Sequence, residues 1–542
     1  MQLLPSIFAN ILGGSEHQRF KPKQEDPEDV IVNSSGPPHT RQANTPTVVV
    51  GKRALRPRKN KESTMSSATE KTPILIRQGS SLDAQDGGAA DSTEAFRNLN
   101  RSSLSSSLAA SYRSLVDAAF SLPGANASVR DFGGTATMAS EITNMSKNLI
   151  GGGVLSLSGG IAICANSPAA VVPATLWIFV LAAVFGYFCW LIGKICKYTY
   201  QVTYRELWQD TVGQTGAMTV PFVNAFKAGL GNLAYASILS QTAVSLCESI
   251  GFEVSRITCL FFITITMLLP LCLLKSLQVL APLSVLGTCG ILVTTAAMTV
   301  RYLDGSYQPG GQFYNDLDPM YTPHFGDVNG AWGIGILPFA CMAFEAYVMH
   351  YNSARFYAEL KDANLTRFGG VVGGAFGFSA VVYAVIASIG YLTFGANSSS
   401  YILNNYSSKD PLATACRLLV AFSTLTTYPI VFTGFRDGVL NVLDIPPSRQ
   451  TSSNLNVFSI VLLTALTVTA VFVTDLGLIN AVGGGTLATV MVFVFPTIMY
   501  RKLVKKQGLV GEDFEVTVAT VMMVIGIFLG VIGVYLSIVG VK

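Results

Sequence analysis

The chain has 542 residues, of which half are hydrophobic and only 13% charged, with a mean hydropathy of +0.45. A soluble protein carries about 25% charged residues, so the composition points to a membrane protein. The net charge of +4 is too small to suggest a nucleic-acid partner. Nine cysteines lie in or beside apolar stretches and form no C-x-x-C pair, and the four histidines are scattered, so neither a disulfide framework nor a metal site is indicated.

Residues 1 to about 135 are rich in Ser, Pro, Gly and charge and poor in aromatics, as in KPKQEDPEDV, KRALRPRKNK and SSLSSSL. Such sequence cannot supply a packed core and reads as a disordered N-terminal tail. Its start, MQLLPSIFANILGG, lacks the basic region of a signal peptide. The basic run Lys52 to Lys61 is either solvated or placed to touch anionic lipid. The rest, 136–542, is a transmembrane domain.

The domain opens on Asn144 to Ala162, NMSKNLIGGGVLSLSGGIA. Lys147, Asn148 and the glycines Gly151, Gly152 and Gly153 interrupt an otherwise apolar stretch. Each glycine costs a helix about 1 kcal/mol relative to alanine, so this helix breaks easily. Broken backbone at membrane depth is tolerated only where protein covers it or it lines a cavity, as in the binding site of a secondary transporter. Close helix packing through small residues is the alternative.

Apolar segments long enough to span a bilayer follow in series. They fall at about 138–165, 169–194, 218–247, 257–274, 279–300, 332–360, 368–394, 411–440, 455–474, 478–500 and 515–540, which gives about 11 transmembrane helices. With the tail inside, the loops on its side carry Lys194, Lys197, Arg205, Lys275, Arg355, Lys361, Arg367, Arg436, Arg449, Arg501, Lys502, Lys505 and Lys506. The opposite loops carry only Arg256, Arg301, Lys409 and Lys542. This asymmetry predicts a cytoplasmic N-terminus and an extracellular or lumenal C-terminus. Sequons at Asn397 and Asn405 fall on the predicted outer side.

Ionisable groups inside apolar spans are functional candidates by default. Lys227 lies in the third segment, Glu345 and His350 in the sixth, and Arg417 in the eighth, where it is expected to snorkel from near the outer end. Pro338, Ala340, Cys341 and Ala343 make unwinding near Glu345 plausible. A carboxyl shielded from water holds a proton readily, so Glu345 is a candidate proton carrier; Lys227 is either its structural ion-pair partner or functional itself. His350 is either a packed histidine or a proton relay. The hydroxyls of Ser423, Thr424, Thr426 and Thr427 either bond back to their own helix or offer hard ligands to a small cation. A second triplet, Gly483 to Gly485, reads as packing or flexibility.

Four motifs in order resemble the amino acid/auxin permease family, which includes sodium-coupled neutral, proton-coupled and plant vacuolar amino acid transporters. They are K-N-L-I-G-G-G-V-L-S-L, A-Y-V-M-H-Y-N followed by Y-A-E-L, T-Y-P-I-V-F-T-G-F-R, and V-G-G-G-T with the later F-P-T-I-M-Y. They place His350, Glu359, Pro429 and Arg436 at family positions. The resemblance covers about 138–540 and implies an all-α polytopic membrane protein. Its fold would be an inverted five-helix repeat plus one helix, with the first and sixth helices broken around the substrate. An amino acid would then meet Asn148, Gly151, Gly152 and Gly153 on one side and Ala343, Phe344 and Glu345 on the other. Ion coupling would fall to Lys147, Glu345, His350, Ser423, Thr424 and Thr427.

In sodium-coupled members an asparagine stands where this chain has Lys147 and works with an eighth-helix hydroxyl to hold sodium. Lysine there, and Ala-Phe-Glu at 343–345, resemble the proton-coupled relatives. The expectation is therefore a secondary active transporter of amino acids, neutral ones by analogy, with no cofactor and with the proton, or alternatively sodium, as coupling ion. A membrane amino-acid sensor signalling through the tail is the alternative class. No nucleophile, base and orienting group can be assembled into an enzyme site. Vacuolar or endomembrane and plasma-membrane locations both fit, and the partners expected are an amino acid and the lipid bilayer.

Overall fold

A computed structural model describes residues 132–214, 216–274, 281–326 and 333–540, without the side chains of 281–286 and 447. The tail assigned to 1–135, with its basic run, falls almost wholly outside the described residues, as does the KSLQ link between the fourth and fifth segments. Among the described residues the elements are helical, with two isolated backbone bridges besides.

The first segment holds α1 (Met138–Leu149) and α2 (Leu157–Cys164), joined by a short three-ten turn. The second is α3 (Val171–Thr199), followed by the surface helix α4 (Tyr204–Thr211). The third is α5 (Thr219–Ser249), and the fourth is α6 (Arg256–Ile263) and α7 (Leu269–Cys272) around a π turn. The fifth is α8 (Ala281–Leu303), and the sixth is α9 (Ile336–Tyr347) and α10 (Ser353–Glu359). Then come α11 (Leu365–Phe394), α12 (Pro411–Val442) and α13 (Ser452–Phe472). The tenth segment is α14 (Leu476–Gly483) and α15 (Phe495–Gln507) across π turns, and the last is α16 (Asp513–Val539).

Every predicted segment therefore carries helix, with ends shifted by a few residues. Among the described residues six helices are long and apolar enough to cross a membrane unaided, and the bent pair α1–α2 makes a seventh. Large apolar side chains such as Phe262, Phe378, Phe472 and Phe528 point outward, the arrangement a lipid solvent rewards.

The most extensive packing joins the third segment to the eighth, and the second to the seventh comes next. The breaks fall in the first and sixth. Each pairing is offset by five segments, which is the signature of a five-helix repeat. Five crossings are an odd number, so the second copy must run through the membrane in the opposite sense.

Both faces of the bundle are tied by buried charge. On the tail side, Lys194 of α3 meets Glu512 at 2.7 Å and also Glu515, and Tyr500 Oη donates to both carboxylates at 2.7 and 3.0 Å. On the far side, Arg301 donates to Asp410 at 2.9 and 2.7 Å, and Tyr307 Oη joins the same carboxylate at 2.9 Å. Arg417 does not snorkel. It is 1% exposed and donates to the carbonyls of Ser407, Leu403 and Tyr406, because the 403–407 segment folds over its helix and offers acceptors that water would otherwise supply. Asn405 is buried as well, donating to Asn397 O and accepting from Ser399 N–H, so the folded chain does not present that sequon.

Candidate functional site

Both interruptions lie side by side inside the bundle. In the first segment α1 stops at Leu149, Ile150 turns to φ −79°, ψ 93°, and Gly151 is fully extended at φ −127°, ψ 178°. The chain resumes as a three-ten turn over Gly152–Ser156, and the two helical parts differ in direction by 48°. None of the three glycines has a positive φ. Their part is low helix propensity and small size: a Cβ at Gly151 would meet open space, one at Gly152 would lie 3.1 Å from Ile238 Cδ1, and one at Gly153 would lie 3.6 Å from Asn480.

The sixth segment breaks later than expected. Ala343, Phe344 and Glu345 are helical, in the last turns of α9, and the chain opens at Val348 (ψ 111°) and Met349 (φ −140°, ψ 10°). Pro338 sits in the first turn of α9, where its missing N–H has no helical partner to lose, so it starts the helix rather than breaking it. Phe344 and Glu345 still belong to the last four residues of α9, whose carbonyls lack intrahelical partners.

Three residues not foreseen from the sequence brace the breaks, two of them joining the first to the second. Tyr383 of α11 places its hydroxyl 2.6 Å from Leu149 O and 2.8 Å from Ala346 O, one carbonyl from each broken helix. Asn352 donates to Asn148 Oδ1 at 3.1 Å, while Asn148 donates back to Asn144 O at 3.0 Å. Asn480 of α14 donates to Ser156 Oγ at 2.9 Å and Gly153 O at 3.2 Å. The only sequence signal was an isolated polar side chain in an apolar run, which is shared with many residues that merely pack.

The charged candidates separate. Glu345 Oε1 pairs with Lys227 of α5, the side chains being 12% and 16% exposed, while its Oε2 has no partner among the described residues. The second glycine triplet lies under this pair. A Cβ at Gly483 would stand 3.0 Å from Glu345 Oε2, and one at Gly484 would stand 1.8 Å from Cys341 O. That triplet is there for packing: α9 passes too close for any side chain.

Lys147 is half-buried and makes no ion pair among the described residues; the titratable group acting on it is Cys289 of α8. Thr424 and Thr427 return their hydroxyl hydrogens to Val420 O and Ser423 O at 2.7 and 2.8 Å, and Ser423 lies where α8 passes at Gly287. No hydrogen bond joins Lys147 to Ser423, Thr424 or Thr427. His350 is fully buried, its Nε2 2.9 Å from Phe185 O and its ring edge-on to Phe185 and Phe376. Toward the far side, a polar cavity of about 320 Å³ is lined by Gln241, Glu248, Arg256, Asp318 and Asn404.

Paired broken helices at the centre of a five-helix repeat define a secondary transporter. The chain belongs to the transmembrane amino acid transporter protein family, whose model matches residues 134–539. It is similar to sodium-coupled neutral amino acid transporter 11 of Danio rerio, 24% identical over 406 residues that cover 73% of this chain and 85% of that protein. The Mus musculus protein of the same name is 22% identical over 379 residues, covering 69% and 79%. Among solved structures, MhsT in complex with L-phenylalanine aligns at 10% identity over 75% of this chain and all of that one, with a TM-score of 0.45. The inward-facing conformation of Mhp1 aligns at 11% identity over 77% and 95%, also with a TM-score of 0.45.

Proposed function

We propose that the chain carries neutral amino acids across its membrane by alternating access, without sodium, and that the substrate sits between the two breaks. The observation that carries this reading is the pair of interrupted helices joined through Tyr383, with Gly151 opening onto free space. The N–H groups of Gly151, Gly152 and Gly153 precede the first internal bond of their turn, from Val154 N–H to Gly151 O, and, with no acceptor among the described residues, can receive a carboxylate. The last carbonyls of α9, those of Phe344 and Glu345, face the ammonium group with the negative end of a helix. Ala343 backs this turn, and Asn148 fixes the first break against Asn352.

Lys147 supplies a fixed positive charge where sodium-coupled members of the family hold the ion, and Ser423, Thr424 and Thr427 complete that region. Glu345, with Lys227 on one oxygen and no partner for the other among the described residues, is the carboxyl through which a proton would be coupled, and His350 remains a candidate relay. No cofactor and no catalytic step are part of this reading. The charge asymmetry of the loops supports a cytoplasmic tail.

The test is uptake of labelled amino acids into liposomes with sodium replaced by choline and a pH gradient maintained. Uptake should persist and collapse when the gradient is dissipated; uptake that stops on sodium removal alone overturns it. The names of the relatives favour the competing sodium-coupled symporter, which the same experiment reads. The sensor alternative is read by deleting residues 1–130: a transporter keeps its flux.

A further inference from the structure

The tail-side end of the first segment holds a carboxyl that the transport site does not use. Glu141, in the first turn of α1, is 0% exposed, and neither Oε1 nor Oε2 has a hydrogen-bond partner among the described residues. The charged groups acting on it are Glu359 and Arg355 of α10, and Arg355 Nε already donates to Glu359 Oε1 at 2.6 Å. A strap runs over this cluster: Ala136 N–H donates to Glu359 O at 3.0 Å, and Lys361 N–H donates to Ala136 O at 2.9 Å. Gly134 passes so close that a Cβ there would lie 2.4 Å from Glu359 O, and the Phe132 ring packs on Tyr200 and Tyr357.

A first-turn carboxylate normally gains from the helix dipole, but that gain is far smaller than the cost of burying a charge without hydrogen bonds. A fully buried carboxyl and a partly exposed one, Glu359 at 29%, stand beside one guanidinium here, and the buried one gains most by being neutral. Arg355 Nε is bonded to Glu359, and both oxygens of Glu141 lack a hydrogen bond among the described residues, so Glu141 is the carboxyl that favours the neutral form. The remaining groups do not offset it. On α11, Tyr383 is taken up by Leu149 and Ala346 and Arg367 stands at the helix start; Tyr357 of α10 stacks edge-on with Phe368; Lys147 lies further along α1; and the strap 132–137 carries no charge.

We infer that Glu141 is a proton-binding site, separate from the Lys227–Glu345 pair, whose occupancy latches the tail-side ends of the first and sixth segments together. Loss of the proton to tail-side water leaves two facing carboxylates under the strap, and their repulsion frees α1 to swing open. The role as an opening step rests on the transporter reading; the proton site itself does not.

The experiment is hydrogen exchange of residues 132–150 in the full-length protein in liposomes, at pH 6 and pH 8, corrected for intrinsic exchange. Wild type should lose protection by about tenfold to a hundredfold at pH 8, the range one titrating proton gives over two pH units. Glu141→Gln, which mimics the protonated acid, should keep its pH 6 protection at both. Equal wild-type protection at the two pH values overturns the latch, even where the variant fails to fold, and so does an unchanged drop in Glu141→Gln. A pH-dependent latch in a protein without amino-acid uptake would sink the transporter reading and leave the proton site standing.

Discussion

Tyr383 is the residue on which both broken helices converge. Its single hydroxyl hydrogen serves Leu149 O and Ala346 O, two carbonyls that have lost helical partners and lie away from water. Removing it leaves buried acceptors unsatisfied at a cost of about 1–3 kcal/mol, enough to shift a conformational equilibrium about tenfold. Tyr383→Phe should therefore insert normally and lose about tenfold in amino-acid uptake per molecule. Wild-type uptake rates in that variant would show that the hydroxyl does not hold the working geometry. Residues of this kind were not legible beforehand. Lys147, Lys227 and Glu345 stand out because charge is rare in apolar spans, whereas Tyr383, Asn352 and Asn480 are uncharged, and their importance exists only once α11, α10 and α14 meet the breaks. Arg417 was visible but misjudged, because the loop that supplies its acceptors lies fourteen residues upstream or less and folds back over it.

At the level of the helix, the eleven segments were readable almost to their ends, because a bilayer demands a nearly fixed apolar length of every crossing. The first break was readable too, since three glycines lower helix propensity whatever the tertiary context. The sixth was placed too early: Pro338 and its small neighbours suggested unwinding, yet the proline starts α9 and the chain opens only at Val348 and Met349. The two glycine triplets look alike in sequence and differ in physics. Gly484→Ala would drive a methyl to 1.8 Å from Cys341 O, a backbone atom that cannot yield, so the variant should lose more than about 3 kcal/mol and fail to run as a monodisperse particle in gel filtration. Gly151→Ala meets open space and should stay folded, but it gains about 1 kcal/mol of helix propensity exactly where a break is needed, and uptake should fall several-fold. A pattern in which Gly484→Ala is tolerated and Gly151→Ala is not folded would reverse these assignments.

For the whole molecule, the five-segment offset joins the halves through their third and eighth and second and seventh members, while the tenth and eleventh attach to the second through charge. That attachment is the Lys194–Glu512–Glu515–Tyr500 network, built from α3, α15 and α16, and its acid limit can be worked out. Glu512 lies between α15 and α16, and the hydrogen bond from Lys194 holds its carboxyl below the ordinary 4.5 against the opposing effect of burial, with Tyr500 and Glu515 adding to the depression. A carboxyl depressed in the folded state contributes stability that is complete above its unfolded value and fades as pH falls through the folded one. Wild type should therefore show the same contribution at pH 7 and pH 6 and lose it below about pH 4. Glu512→Gln removes one charged partner of a lysine only 9% exposed and should cost about 1–3 kcal/mol at neutral pH. Thermal unfolding in detergent across pH 3.5–7 checks the sign: the gap between wild type and Glu512→Gln should narrow toward the acid end. A gap that widens as pH falls would mean that burial, rather than Lys194, governs Glu512, and that Glu515 alone is the carboxylate through which Lys194 ties the second segment to the eleventh.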